Sequence, residues 1–180
     1  MKINLGAGNT RYDGYINCDY SNMFNPEYVF DLEKDRFPFE DNSVDEVIAH
    51  HVLEHLGDGY FDCLKEIYRV CKNGAIVDVR VPHHRSDWQY HDPTHKRTIT
   101  EFGLRLFNQE FNQQDNSSAS KLGWHYGVDF RIVSSEDILW QDYPEYDRLR
   151  NLDKQALYNY TLDKWNVYGE AHIRMIVVKP

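Results

Sequence analysis

Cysteine, basic charge and long apolar runs are all scarce in this chain of 180 residues. Its three cysteines, Cys18, Cys63 and Cys71, are odd in number, widely spaced and without a C-x-x-C pair. That argues against a disulfide framework and fits reduced thiols in a cytoplasmic setting. Lysine and arginine total 20 against 29 aspartates and glutamates, a formal net charge of -9. A broad basic face for nucleic-acid backbones or anionic membranes is therefore disfavoured, although a local basic groove is not excluded. No apolar run approaches membrane-spanning length, and Lys2 leads straight into strand-like residues, so neither a membrane span nor a signal peptide is expected. Internal repeats and low-complexity tracts are also missing. What is plentiful is aromatic surface, 14% of residues within a 41% hydrophobic chain. That is enough for one cored domain over residues 1–180.

The most informative stretch is the start. Ile3-Asn4-Leu5-Gly6-Ala7-Gly8-Asn9 reads as a buried strand running into a glycine loop. Tyr15-Ile16-Asn17-Cys18-Asp19 reads as a second strand ending on a carboxylate. Glycines let a backbone approach a ligand closely, and an acid at a strand tip can accept from two ribose hydroxyls. Together they make a nucleoside-sized cradle.

Further strands are expected at 28–32, 44–50, 75–82, 130–133 and 171–178. Helices are expected at 57–72, where Tyr60, Phe61, Leu64, Ile67, Tyr68 and Cys71 recur at helical spacing, at 100–111 with Thr100 as cap, and at 145–163. Asn73-Gly74 reads as the stop of the first helix, and 112–123 as a mobile polar loop. Weak polar alternation in several strands suggests a sheet covered on both faces. Strands interleaved with helices predict an open α/β sheet, mostly parallel with an antiparallel C-terminal strand. Such sheets bind ligands at the strand carboxyl ends, where Gly6–Gly8, Asp19, Asp31 and His50–His51 would gather. Only Asn9 to Gly14 return the chain from the glycine loop. Six residues span at most about 20 Å, so the first crossover helix should be short or absent.

Leu5-Gly6-Ala7-Gly8, Asp19, Asp31-Leu32, Phe37-Pro38-Phe39, Asp41-Asn42-Ser43-Val44-Asp45, His51-Val52-Leu53-Glu54-His55, Arg69-Val70 and Asn73-Gly74 occur in an order that resembles class I S-adenosylmethionine-dependent methyltransferases of the small methyltransferase-domain type. The resemblance covers about the first hundred residues. Ala7 stands where cysteine or serine is frequent, and Asn73-Gly74 shortens the usual Pro-Gly-Gly turn. The resemblance implies a Rossmann-like fold with S-adenosylmethionine as cofactor. Leu5, Gly6, Ala7 and Gly8 would form the loop against its methionine part, and Asp19 would hold the ribose. Tyr20 would flank the adenine, Asp31 and Leu32 would sit at the adenine edge, and His50 or His51 near the sulfonium. A dehydrogenase is disfavoured, because the third glycine of the dinucleotide fingerprint is missing and the first crossover is too short.

His51-Val52-Leu53-Glu54-His55 also matches the inverted zinc-protease string, but its place after a sheet strand and a cofactor loop excludes that reading. Metal-dependent O-methyltransferases carry a similar string with a later histidine. That similarity implies a divalent metal on His51, which stands where those enzymes have a glutamate, and on Glu54, His55 and, as the later histidine, His95, with His91 as second choice. Without metal, His51, His91 or His95 can serve as general base. His83, His84, Arg85, Trp88 and Tyr90 can face an acceptor or pack on one another, and Tyr158 and Tyr160 are expected to pack. Residues 83–125 and 140–168 would be substrate-side or lid insertions, with a dimer face as an alternative for the latter. The functions implied are O-methylation, less readily N-methylation, of a small or glycan-like acceptor; metal-assisted methylation of RNA or vicinal hydroxyls; or an idle fold used as a binding module.

Overall fold

The computed structural model describes residues 1–114 and 119–180. Seven strands form one sheet: β1 (Lys2–Leu5), β2 (Ile16–Asp19), β3 (Tyr28–Val29), β4 (Val44–His50), β5 (Cys71–Pro82), β6 (Phe130–Leu139) and β7 (Tyr168–Val177). Their order is β3-β2-β1-β4-β5-β7-β6. The pairings from β3 to β5 are parallel, and β7 runs antiparallel to both β5 and β6. The expected α/β architecture with a reversed C-terminal strand is present. Among the described residues no helix is long and apolar enough to cross a membrane.

One long helix, α1 (Tyr60–Val70), connects β4 to β5. Tyr60, Cys63, Leu64, Ile67 and Val70 make its buried stripe at i, i+3, i+4 and i+7 spacing. Its entry is fixed by Glu33, whose Oε1 accepts from the backbone N–H of Gly57 (2.6 Å) and Gly59 (3.1 Å). Its last turn carries Arg69, which donates to the Phe37 and Phe39 carbonyls and pairs with Glu66 and Asp41. The remaining helices are short: α2 (Trp88–His91), α3 (Glu101–Arg105), α4 (Gln109–Gln114), α5 (Leu122–Tyr126), α6 (Tyr146–Leu149) and α7 (Lys154–Thr161). The long helices expected at 100–111 and 145–163 are each broken in two. Thr100 does cap α3, accepting from the Gly103 N–H at 3.0 Å. Residues 115–118 of the expected polar loop lie outside the described residues; 112–114 belong to α4 and 122–123 to α5, while 119–121 are irregular.

Asn73-Gly74 does not stop the helix. The chain turns from α1 to β5 at Cys71, and Gly74, at φ +80°, lies inside the strand. There β5 changes register against β4, between Val44 and Glu46. A local kink within a strand is a second common use of glycine.

No α-helix intervenes between β1 and β4, as the short first return requires. The consequence reaches the whole sheet. Ile3, Leu5, Cys18, Val47, Ala49, Val77, Val79, Val81, Ile173 and Met175 form one buried cluster with the α1 stripe, Phe107 and Phe130. The alternate residues face the other way and are largely polar: Asn4, Asn17, Glu46, His50, Asp78, His172 and Arg174. The expected cover on both faces is uneven. Asn4, Asn17 and Ile48 are buried and the Tyr12 ring lies against His50. Toward β7, His172 is 21% and Arg174 44% exposed, because no early crossover helix spans this face. In place of a helix, Asn4 Nδ2 donates to the Thr10 carbonyl and to Asn17 Oδ1, both at 3.1 Å. The two asparagines are buried and bonded, as buried amides must be.

Candidate active site

The strand ends deliver the cradle. After β1 the chain turns through Gly6 (φ +61°) and Gly8 (φ +49°). The Gly8 N–H donates to Asp19 Oδ2 (2.8 Å) and the Ser21 N–H to Asp19 Oδ1 (2.9 Å). Each oxygen keeps a lone pair, so the carboxylate is oriented without being saturated. A Cβ on Gly6 would lie 2.5 Å from Val52 Cγ2, so this glycine admits Val52 as well as turning the chain. Asp31 follows β3, accepting from the Glu33 N–H (2.9 Å) and from Lys34 Nζ (2.6 Å). The Lys34 hydrogen bond, then that from Glu33, holds its carboxyl below the usual range.

Gly6, Asp19, Tyr20, Asp31, Leu32, Val52 and Lys96 are among the walls of a groove of about 690 Å³. Leu5, Ala7 and Gly8 are not wall residues. Leu5 and Ala7 are buried beneath the loop, with the Ala7 N–H on the Cys18 carbonyl, and Gly8 acts through Asp19. Tyr20 is 80% exposed at the mouth.

A second cavity of about 800 Å³ lies beside the groove. Its walls include Trp88, Trp140, His91, Asp92, Glu54 and Glu170. The two cavities share His51, His55 and Pro93. His51 sits at φ +53°, an uncommon conformation for a non-glycine residue. Its N–H donates to the Arg80 carbonyl at 2.8 Å. Its ring bridges two acids, Nε2 lying 3.2 Å from Glu170 Oε1 and Nδ1 3.5 Å from Glu54 Oε1. Glu170, then Glu54, pushes the imidazole pKa up to about 9, against the opposing cost of burial.

Glu54 is fully buried, and neither carboxylate oxygen has a hydrogen-bond partner. Its main chain is pinned, its carbonyl accepting from the Lys96 (2.8 Å) and Arg97 (3.2 Å) amides. His55 and His95 stand beside it, one ligand atom from each of the three residues lying within 4.8 Å of the others. Thr94 donates its hydroxyl hydrogen to Asp92 (2.6 Å), so His55 Nδ1 donates to Thr94 Oγ1 at 2.9 Å. His95 Nδ1 donates to the Gln89 carbonyl at 2.9 Å. Neutral imidazoles bonded this way keep a lone pair on Nε2. His51 stands outside this trio, with both nitrogens turned to carboxylates.

Other candidates go elsewhere. His50 lines neither cavity: its ring is on the open face, with Nε2 2.7 Å from Asp78 Oδ1. Side-chain alternation forces this, since adjacent residues of a strand face opposite ways. His83 is buried against Tyr168 and His84. The Arg85 guanidinium donates to the Thr161 and Leu162 carbonyls, and Tyr90 stacks on Trp165. Of that cluster only Trp88 reaches the cavity. Tyr158 is 59% exposed rather than packed, while the Tyr160 hydroxyl bonds Glu145. Glu170, Trp140 and Glu33 escaped sequence reasoning. Glu170 is a lone acid in the last strand, and only its pairing with Pro82 brings it to the cavity.

Residues 15–78 match the model of a methyltransferase-domain family. No curated protein sequence matches the chain significantly. Solved structures share its fold. A SAM-dependent methyltransferase from Archaeoglobus fulgidus aligns with TM-score 0.62 at 17% identity, over 97% of this chain and 85% of that one. A methyltransferase of Haloferax volcanii, in complex with the Trm112 methyltransferase activator, gives 0.61 at 15% identity, over 99% and 82%. A possible histamine N-methyltransferase from Thermotoga maritima gives 0.58 at 16%, over 97% and 80%. Matched segment and fold together identify the chain as having the fold of class I S-adenosylmethionine-dependent methyltransferases.

Proposed function

We propose that the chain methylates an oxygen, less readily a nitrogen, of a small or glycan-like acceptor, using S-adenosylmethionine. The observation that carries this reading is the meeting of groove and cavity at His51 and His55. The groove fits the cofactor. Its size is ordinary for a small-molecule site, and its acids, Asp19, Asp31 and Glu33, suit ribose hydroxyls and a cationic sulfonium rather than a pyrophosphate. When bound, the cofactor supplies an electrophilic methyl group. Asp19 would accept from the ribose hydroxyls, Tyr20 and Leu32 would cover the adenine, and Gly6 would keep the loop close.

On the acceptor side, Trp88 and Trp140 offer flat faces for a sugar or ring, with Asp92 and Glu170 as hydrogen-bond acceptors. His95 is the residue best set to take the acceptor proton, its Nδ1 fixed by Gln89 and its Nε2 3.9 Å from Asp92 Oδ2, beyond hydrogen-bonding distance. His51, charged and clamped between Glu54 and Glu170, positions rather than abstracts. His91 is exposed at the rim. Trp88, His91, Asp92, Pro93 and His95 with Trp140 would form the substrate-side wall, their segments tied together where Asp87 accepts from Asn166 Nδ2 (2.7 Å) and Trp165 Nε1 (2.8 Å).

One observation favours a metal-assisted variant. The His51 ring, 3.5 Å away, meets only Glu54 Oε1, and neither oxygen of this buried carboxylate has a hydrogen-bond partner, which leaves room for a second cation. Glu54, His55 and His95 would hold a divalent metal, which would supply Lewis acidity toward an acceptor hydroxyl. Transfer of labelled methyl from the cofactor to pools of glycans, small hydroxyl compounds, amines and RNA tests the proposal. Labelling confined to sugars or small hydroxyl compounds is expected. Labelling of RNA or amines alone would overturn the acceptor class, and retention of full activity after chelation would remove the metal.

A further inference from the structure

We propose that the open face of the sheet carries a second site, a divalent transition-metal site built from His50, Asp78 and His172. The three residues come from neighbouring strands β4, β5 and β7 and line neither cavity. Both imidazoles aim Nε2 at one oxygen: His50 lies 2.7 Å and His172 2.8 Å from Asp78 Oδ1. The other oxygen is taken separately, Arg174 Nε lying 3.1 Å from Asp78 Oδ2. The carboxylate is thus oriented through Oδ2 and offered through Oδ1.

Two imidazoles and one carboxylate are a common set for zinc and related borderline cations, with water in the fourth place. Histidine ligands need a partner on the second ring nitrogen. The Tyr12 hydroxyl already lies 3.1 Å from His50 Nδ1 and can accept its hydrogen once Nε2 is given to the metal. Metal–ligand bonds of about 2.0–2.1 Å put tetrahedral ligands roughly 3.3 Å apart, so the trio must open by about half an ångström. Side chains that are 14–21% exposed on a face without a helix layer have room to do so. A metal here would cross-link three strands. It would act one residue from His51 and two from Glu170, the ion pair beside the junction of groove and cavity. The role inferred is structural, holding β4, β5 and β7 in register.

Zinc ion titrated into the full-length protein against a chromogenic chelator tests the site. His172→Ala and Glu54→Gln separate it from the Glu54, His55 and His95 trio. In Glu54→Gln, which disables the Glu54, His55 and His95 trio, one equivalent is expected, weakened at least about tenfold when His172→Ala or His50→Ala is added. Zinc should raise the melting temperature of Glu54→Gln and not of that variant with His172→Ala added. His172→Gln, which keeps the volume, guards against a simple folding defect and should also lose binding. Absence of zinc binding in Glu54→Gln, or binding in that background that survives His172→Ala and His172→Gln, would overturn the proposal.

Discussion

Gly6 and His83 show how single residues carry this fold. At Gly6 two demands coincide, a left-handed turn and room for Val52. Gly6→Ala should therefore cost about 1–3 kcal/mol of stability and displace a wall of the groove. Denaturant unfolding measures the first effect and cofactor titration the second. Gly8 has nothing within 4 Å of an added Cβ, so Gly8→Ala should be the milder variant. His83 makes a pH prediction. Burial, reinforced by His84 and Arg85, lowers its pKa to about 4. The Arg85 N–H donates to its Nδ1 at 3.1 Å, which requires the neutral ring. The Asp137 carboxylate, 3.6 Å from Nε2, is beyond hydrogen-bonding distance. A folded pKa below the unfolded 6.5 means the unfolded chain binds the proton first. The His83 contribution to stability should be constant above about pH 6.5 and fall between there and about pH 4, by up to roughly 3 kcal/mol. His83→Gln should flatten that slope in urea titrations at successive pH values.

Among the elements, α1 was the most legible, because five buried residues at helical spacing leave little alternative. Ile67→Ala should cost about 2–5 kcal/mol in a urea titration, since the side chain is fully buried. The strand tips were legible as well: β1, β2 and β4 end on Leu5, Asp19 and His50, within a residue of expectation. The histidine–glutamate string was legible as a cluster but not as a geometry. Period-two alternation sends His50 to one face while His51 stands between the cavities, a split that spacing alone does not reveal. The Asn73-Gly74 kink was misread because a glycine after a helix reads as a stop, whereas here the strand begins before it. Glu33 and Glu170 were illegible, since each matters only through partners more than twenty residues away. The segments 83–125 and 140–168 were the least legible. Their described residues form short helices and irregular links, many held by side-chain-to-backbone bonds such as those of Arg85 and Arg97 rather than by an apolar period. Arg85→Ala should free the carbonyls at Thr161 and Leu162. Faster amide exchange around 158–167 with little change at β4 is the expected readout.

At the scale of the molecule, the layout follows from one economy near the start. A short return from β1 to β2 leaves no crossover helix, and one face of the sheet becomes polar. That polar face carries His50, Asp78 and His172, while the strand ends carry the groove and cavity. The sheet so built matches class I methyltransferase folds over nearly its whole length. The proposed cofactor would be held through Asp19 and close backbone approach, not through a long helix dipole. The three cysteines are buried and free, and burial pushes Cys18 and Cys71 up to about 12, so all three should resist thiol reagents until unfolding. The central claim is that the Gly6–Asp19 cradle holds S-adenosylmethionine. Calorimetry of the full-length protein with S-adenosylmethionine, repeated on Asp19→Ala, tests it most directly. The account predicts one equivalent bound by the native protein, and affinity reduced at least about thirtyfold by the loss of two charge-assisted hydrogen bonds. A folded native protein that binds no S-adenosylmethionine, or a folded Asp19→Ala that binds it equally well, would contradict the account.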